Sequence, residues 1–257
     1  MIPDRPLLGT WVNSASGAVA ELSSRSGLDF VTIDVEHSPV GLPEVFRLLQ
    51  AIRAGSPACL GLVRIPGADP VLVRACLDAG ADGVICALVN SAEEAERLVA
   101  ATRYPPQGRR GLGFSRDNDY GRRAAGRAAA DASDKLVAVQ IEHTDALPHL
   151  ESILGTEGVD AAFLGPYDLS ASLGVPGRFE EPAYREAVAE IEEACRRHGV
   201  VLGRHVVQPD PDEVIAAFES GYRMVAYSLD ITMLTHSLGR AVARIAASGT
   251  WRKPDVS

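Results

Sequence analysis

Residues 59–89, CLGLVRIPGADPVLVRACLDAGADGVICALV, carry the pattern that decides the fold. The run at 59–65 is short, aliphatic and β-branched, as suits a strand buried on both faces. Asp69-Pro70 then offers a helix start. The carboxylate can accept from a free N–H of the first turn, and proline loses nothing where the N–H has no intrahelical partner. Apolar residues in VLVRACLDAG recur at helical spacing as far as Gly80, which is placed to end the helix. A second aliphatic run, 83–89, follows directly. Strand, helix and strand in this order make a βαβ unit.

The alternation continues in both directions. Further strand-like runs are LLGTWV (7–12), FVTIDV (30–35), LVAVQIE (136–142), AAFLG (161–165), VVLGRHV (200–206) and MVAYSL (224–229). Between them Pro43 precedes VFRLLQAIRA, and Ser91 with Glu94 forms a capping-box signature. Glu181-Pro182 opens a helix whose last turn is basic (Arg196, Arg197, His198) before Gly199, and Asp210-Pro211 opens another. ITMLTHSLGRAVARIAAS (231–248) closes the pattern. Eight β-then-α units in 257 residues predict one α/β domain over 1–257, a closed (β/α)8 TIM barrel. The competitor, an open doubly wound sheet, lacks its G-x-G-x-x-G fingerprint, since Asn13–Gly17 does not match it. Two connections, Pro105–Asp134 and Pro166–Glu181, exceed what packing requires, and RRAAGRAAADA in the first reads as a short surface helix.

Composition narrows the function. A net charge of −9 gives no electrostatic footprint for nucleic acid or an anionic membrane, so an anionic substrate must be met locally by a metal or a placed arginine. The four cysteines, Cys59, Cys76, Cys86 and Cys195, lie in apolar segments without C-x-x-C spacing and read as reduced core residues, which suits a cytoplasmic protein. No signal-peptide core and no membrane-length apolar run is present.

The active face of such a barrel is the C-terminal end of its strands. Strand two ends Asp34-Val35-Glu36-His37, strand three contains Arg64, strand five ends Gln140-Ile141-Glu142-His143, and strand six runs into Gly165-Pro166-Tyr167-Asp168. Singly, each has a structural explanation: a loop histidine, an arginine paired with a buried carboxylate, an N-capping aspartate. Their gathering at one rim points instead to a site. Glu142 and Asp168 suit a hard divalent cation, Mg²⁺ or Mn²⁺, which takes few protein carboxylates and leaves positions for water and substrate. A 2-oxo acid could fill two of these, the cation acting as a Lewis acid for the enolate formed when an adjacent bond breaks. The histidines are scattered without zinc-site spacing.

GTWVNS, GLDFVTIDVEHSP, LVRIPGADPVLVRACLDAGADGVI, ATRYPPQGRRGLGFSR, QIEH, GVDAAFLGPYDLSASLG and SLDITML together resemble the HpcH/HpaI family, the metal-dependent (class II) pyruvate or 2-oxo-acid aldolases. The likeness covers nearly the whole chain in family order. It implies a barrel of the phosphoenolpyruvate/pyruvate type, with Glu142 and Asp168 holding Mg²⁺ or Mn²⁺, Co²⁺ being a further choice. It implies that His37 is the general base, acting through a water or on the aldol hydroxyl, with Asp34 and Asp78 supporting its basicity. It further implies that Arg64 binds the keto-acid oxygens, that Gln140, Gly165, Tyr167 and Asp168 contact substrate, and that the protein assembles as a trimer or hexamer with the 231–248 helix exchanged between subunits. The alternative for that helix is to close its own barrel. Tyr167 stands where better-known members often carry a small residue, and Gly203–Pro209 departs from the family pattern. Arg204 and His205 there could read a second substrate carboxylate or serve structure.

The reaction expected is reversible aldol cleavage of a 4-hydroxy-2-oxo acid to pyruvate, or a similar 2-oxo acid, and an aldehyde. A Claisen-type synthase condensing oxaloacetate with an acyl-CoA, or an oxaloacetate decarboxylase, would use the same enolate. A sugar-phosphate barrel is disfavoured by acidic, glycine-free loops after strands seven and eight. An inert binding module is disfavoured by the presence of His37, Arg64, Glu142 and Asp168 together.

Overall fold

The computed structural model describes residues 2–129 and 134–252. Among these, eight parallel strands close in chain order, with β1 pairing with both β2 and β8. They are β1 Leu7–Val12, β2 Phe30–Asp34, β3 Leu60–Ile65, β4 Gly83–Cys86, β5 Leu136–Ile141, β6 Ala161–Leu164, β7 Val201–Val206 and β8 Met224–Leu229. The helices are α1 Gly17–Arg25, α2 Leu42–Gly55, α3 Pro70–Asp78, α4 Ala92–Thr102, α5 Ala124–Ala129, α6 Leu150–Leu154, α7 Pro166–Ser172, α8 Pro182–His198, α9 Pro211–Glu219 and α10 Asp230–Ala247. The fold is the predicted (β/α)8 barrel. β4 stops short of its predicted run because Leu88 takes a left-handed backbone, φ 53°. α5 falls within the predicted RRAAGRAAADA helix, the end of which lies outside the described residues.

The helix starts behave as their chemistry requires. Asp69 accepts from Val71 N at 2.9 Å and Asp210 from Asp212 N at 2.9 Å. Ser91 accepts from Glu94 N at 3.2 Å, but the Glu94 carboxylate reaches Asn90 N at 2.7 Å, one residue before the cap. Gly199 ends α8 at φ 68°, a left-handed value that costs glycine nothing.

Side chains alternate between lumen and helix layer along each strand. One buried cluster, including Leu7, Trp11, Phe30, Leu62, Ile85, Phe163 and Met224, fills the lumen, and a larger one lies between the strands and the helices. Large and small residues interlock across strands. A Cβ on Gly9 would strike the Phe30 ring, and one on Gly203 would strike Phe163. Because odd-numbered residues of β1 and β7 face inward, Trp11 and His205 end up at the mouth.

α10 does not cover its own barrel. Asp230 is its only buried residue, and Ile231, Leu234, Leu238 and Ile245 are each about half exposed, 48–60%. They form one apolar stripe along the helix. Asp230 itself pins the chain opposite, accepting from Asn13 N at 2.9 Å and Ser14 N at 3.1 Å.

Gly9→Ala should force the Phe30 ring out of its position and lower stability by about 1–3 kcal/mol, as overpacking does in close-packed cores. Urea denaturation of the two proteins checks this.

Candidate active site

A cavity of about 330 Å³ opens at the C-terminal ends of the strands, lined by Trp11, Asn13, His37, Arg64, Gln140 and Asp168 among others. Its organising group is Asp34. Asp34 and Arg64 are register partners on β2 and β3. Arg64 donates to Asp34 through Nε at 2.9 Å and Nη2 at 2.6 Å, a two-point contact matched to the planar guanidinium. Asp34 also accepts from the backbone N–H of Glu36 at 3.0 Å and of His37 at 3.3 Å, and from Asn13 Nδ2 at 2.8 Å. Burial pushes its carboxyl up, but Arg64 and the backbone N–H groups of His37 and Glu36 hold it below the ordinary carboxylate range. The third guanidinium nitrogen lies 3.1 Å from Glu36, and the guanidinium carbon sits 4.3 Å from the centre of the Trp11 ring.

Opposite Arg64 the mouth is acidic. Glu142 is buried. Its Oε1 accepts from Leu88 N at 2.9 Å, and its Oε2 accepts from Gln140 Nε2. Burial pushes the Glu142 carboxyl up to about 7; the Leu88 N–H opposes this, while the Glu36 and Asp168 carboxylates add to it. Burial also raises Glu36, against the pull of Arg64 and His37 and with the push of Asp34 and Asp168. Leu88 holds its N–H toward Glu142 in a left-handed conformation, a local cost that recurs at binding sites.

Does this corner fit a divalent cation? Among the described residues no group of three or more His, Cys, Asp or Glu could hold a metal by itself. The two-carboxylate arrangement does fit one completed by water and substrate. Glu142 is a buried carboxylate with no cationic side chain bonded to it among the described residues, and it senses two further carboxylates. Gln140 Oε1 is buried without a hydrogen-bond partner among the described residues, and Glu36 Oε2 has the Arg64 guanidinium beside it. A Cβ at Gly165 would sit 2.5 Å from Glu142 Oε2, so only glycine leaves this space open. Every donor is oxygen, the choice of a hard cation.

The predicted residues separate into two groups. Asp34, Arg64, His37, Gln140, Glu142, Gly165, Tyr167 and Asp168 converge on the mouth or its wall. Asp78 does not. It ends α3, five residues before β4 begins, and pairs with Arg110 at 2.6 Å. In a βα unit the end of a helix returns to the strands' N-terminal rim, so within this chain Asp78 is remote from His37. Asp34 is also not the carboxylate beside the imidazole. Its oxygens go to Arg64, Asn13 and backbone N–H groups, and the carboxylate nearest the His37 ring is Glu36, at 3.9 Å. Arg204 faces away from the lumen, its guanidinium 5.8 Å from the Tyr222 ring, in a separate cavity of about 320 Å³ behind β7.

Sequence reasoning left Trp11, Asn13 and Glu36 without roles, and assigned His205 only loosely. Their shared signal is the inward phase of their strands. The Trp11 and His205 rings are parallel, 3° apart in plane and 4.6 Å between centres. His205 Nε2 is 3.0 Å from the carbonyl of Ser228, another non-glycine residue with positive φ (50°). Burial pushes the His205 imidazole down to about 4, with the Ser228 carbonyl opposing and Arg64 assisting.

Fold and site define a barrel enzyme whose chemistry sits at the C-terminal rim, where one arginine faces several carboxylates. The chain belongs to the HpcH/HpaI aldolase/citrate lyase family, whose model matches residues 7–237. It is 38% identical over 236 residues to a hydroxypyruvate/pyruvate aldolase of Sagittula stellata, covering 91% of each chain. It is 36% identical to a 4-hydroxy-2-oxo-heptane-1,7-dioate aldolase of Shigella sonnei, covering 98% of this chain and 95% of that one. A crystal structure of a family member from Burkholderia cenocepacia superposes with a TM-score of 0.88 at 32% identity, covering 94% and 95% of the two chains.

The His205 shift sets a pH dependence. Below pH 6.5 the unfolded chain takes up a proton that the folded ring refuses until about pH 4, so acidification favours unfolding across this window. Stability should fall from pH 6.5 toward pH 4, and His205→Gln should flatten part of the slope; denaturation midpoints at each pH measure both.

Proposed function

We propose that this protein is a divalent-metal-dependent aldolase that reversibly cleaves a 4-hydroxy-2-oxo acid to pyruvate, or a similar 2-oxo acid, and an aldehyde. The observation that carries this reading is the oxygen-only corner formed by Glu142, Gln140 and Asp168 facing the paired Arg64 across one small cavity. The names of the two relatives support the reaction class. Glu142 and Asp168 would hold the cation, Mg²⁺ or Mn²⁺ with Co²⁺ possible. When bound, it supplies positive charge against the developing enolate. Arg64, held rigid by Asp34 and stacked on Trp11, turns a guanidinium edge toward the 2-oxo-acid oxygens and needs no reorganisation during the reaction. His37 takes the proton from the C4 hydroxyl. As the C3–C4 bond breaks, the hydroxyl carbon leaves as the aldehyde and the bonding pair passes into the 2-oxo acid as enolate, which is then protonated at C3. Glu36 lies 3.9 Å from the imidazole Nε2.

Assembly belongs to the same proposal. The apolar stripe of α10 is uncovered in the single chain, and Leu22 on α1 and Ile215 on α9 are exposed as well. Exchange of α10 between copies, as a trimer or hexamer, would bury that stripe. We place the protein in the cytoplasm, since its four cysteines are buried and unpaired. No described helix is long and apolar enough to cross a membrane.

With a 4-hydroxy-2-oxo acid and Mg²⁺ or Mn²⁺, pyruvate should form, and chelation should abolish it. His37→Asn should lower kcat by about 10²–10⁴-fold, the usual contribution of a positioned base. Absence of both pyruvate release and pyruvate C3 proton exchange would refute the reaction, and CoA release from acetyl-CoA with oxaloacetate would replace it by a Claisen-type condensation. Light scattering should give three or six times the 27.2 kDa chain, and deletion of α10 should reduce it.

A further inference from the structure

The wall of the mouth formed by β7 and β8, against Trp11 of β1, contributes no reacting group to the proposed cleavage, and its chemistry is specific. The Ser228 carbonyl can only accept, so the hydrogen bond from His205 places the ring proton on Nε2. In the neutral ring Nδ1 is then an acceptor, and among the described residues the ring's hydrogen bond is the one made by Nε2. The ring cannot turn freely, because its face is stacked on Trp11 and its Nε2 is held by the Ser228 carbonyl. Protonation would set a second cation against the Trp11 ring that already carries Arg64. Nearby, Asn13 donates its amide N–H to Asp34 and leaves Oδ1 buried without a partner. This wall therefore presents two acceptors, His205 Nδ1 and Asn13 Oδ1, beside the buried Trp11 indole N–H, a donor that also has no partner among the described residues.

Cations are scarce at the same place. Arg64 is the single lysine or arginine among the described residues lining the mouth, and it is committed to Asp34, Glu36 and, in the proposed cleavage, the 2-oxo acid. Arg204, next to His205 in sequence, is directed behind β7 by strand alternation. A second carboxylate or a phosphate on the substrate would thus meet carboxylates and a neutral imidazole. A hydroxyl would meet a partner.

We propose that His205 is a specificity-determining residue whose Nδ1 accepts a hydrogen bond from a hydroxyl of the acceptor, and that the protein selects uncharged hydroxyaldehydes over simple or anionic aldehydes. This rests on the aldolase reading above and names its acceptor class. The preference for a hydroxylated over a matched plain aldehyde is set by one neutral hydrogen bond, worth roughly three- to tenfold in kcat/KM.

The test compares glyceraldehyde, propanal and succinic semialdehyde as acceptors for pyruvate, each corrected for its free-aldehyde fraction, with pyruvate C3 proton exchange recorded alongside. Wild type should favour glyceraldehyde over both others. His205→Phe should bring glyceraldehyde and propanal to within twofold of each other while proton exchange and the pyruvate KM stay unchanged, and His205→Gln, which keeps a donor and an acceptor, should retain the preference. Equal use of glyceraldehyde and propanal by wild type, preference for succinic semialdehyde, or persistence of the preference in His205→Phe would overturn the proposal while leaving the aldolase reading intact. Loss of proton exchange in wild type would overturn both.

Discussion

The contact between the Asp34 carboxylate and the Arg64 guanidinium is the constraint on which the mouth depends. Taking two charges out of water costs several kcal/mol each, and the cost is offset only when geometry is good and the remaining donors and acceptors are satisfied. Here the two residues are opposite each other in the β2–β3 register, so strand pairing sets the distance before the side chains meet. The spare capacity of Asp34 is taken by the turn that carries Glu36 and His37. The same carboxylate therefore orients the arginine and shapes the loop bearing the imidazole. Trp11 completes the arrangement, its ring meeting both the guanidinium and the parallel ring of His205.

Such a mouth is electrostatically unbalanced. Four carboxylates, Asp34, Glu36, Glu142 and Asp168, stand near one guanidinium, and the burial that raises Glu36 and Glu142 measures the cost of keeping them together. Proteins tolerate such like-charge crowding where a ligand relieves it, and pKa values displaced in a cleft are a recurring mark of function. The left-handed backbones at Leu88 and Ser228 belong to the same pattern. Each uses an unfavourable conformation to aim one backbone group, an N–H at Glu142 and a carbonyl at His205.

Much of this was legible in the strand pattern. The βα alternation specified the barrel because continuous aliphatic runs between capped helices have few other ways to bury both sheet faces. Polar ends on strands two, three, five and six located the rim. The residues left without a definite role, Trp11, Asn13 and His205, sit on β1, its following loop and β7, where an aromatic or imidazole reads equally well as packing. Their roles depend on which strands become neighbours when β8 closes on β1, a long-range event with no local signature.

The sequence by itself determined the element order, the closed architecture and the set of groups available at the C-terminal rim, because these follow from periodicity and capping within a few residues. Only the tertiary structure decided which partner each group takes: Asp34 with Arg64 and not the imidazole, Asp78 with Arg110 away from the mouth, Arg204 behind the wall and His205 within it. The reason is geometric. Spacing along a chain sets which face a side chain occupies, whereas ion pairs and ring stacks form between strands, so register and barrel closure choose among partners that the sequence leaves equivalent.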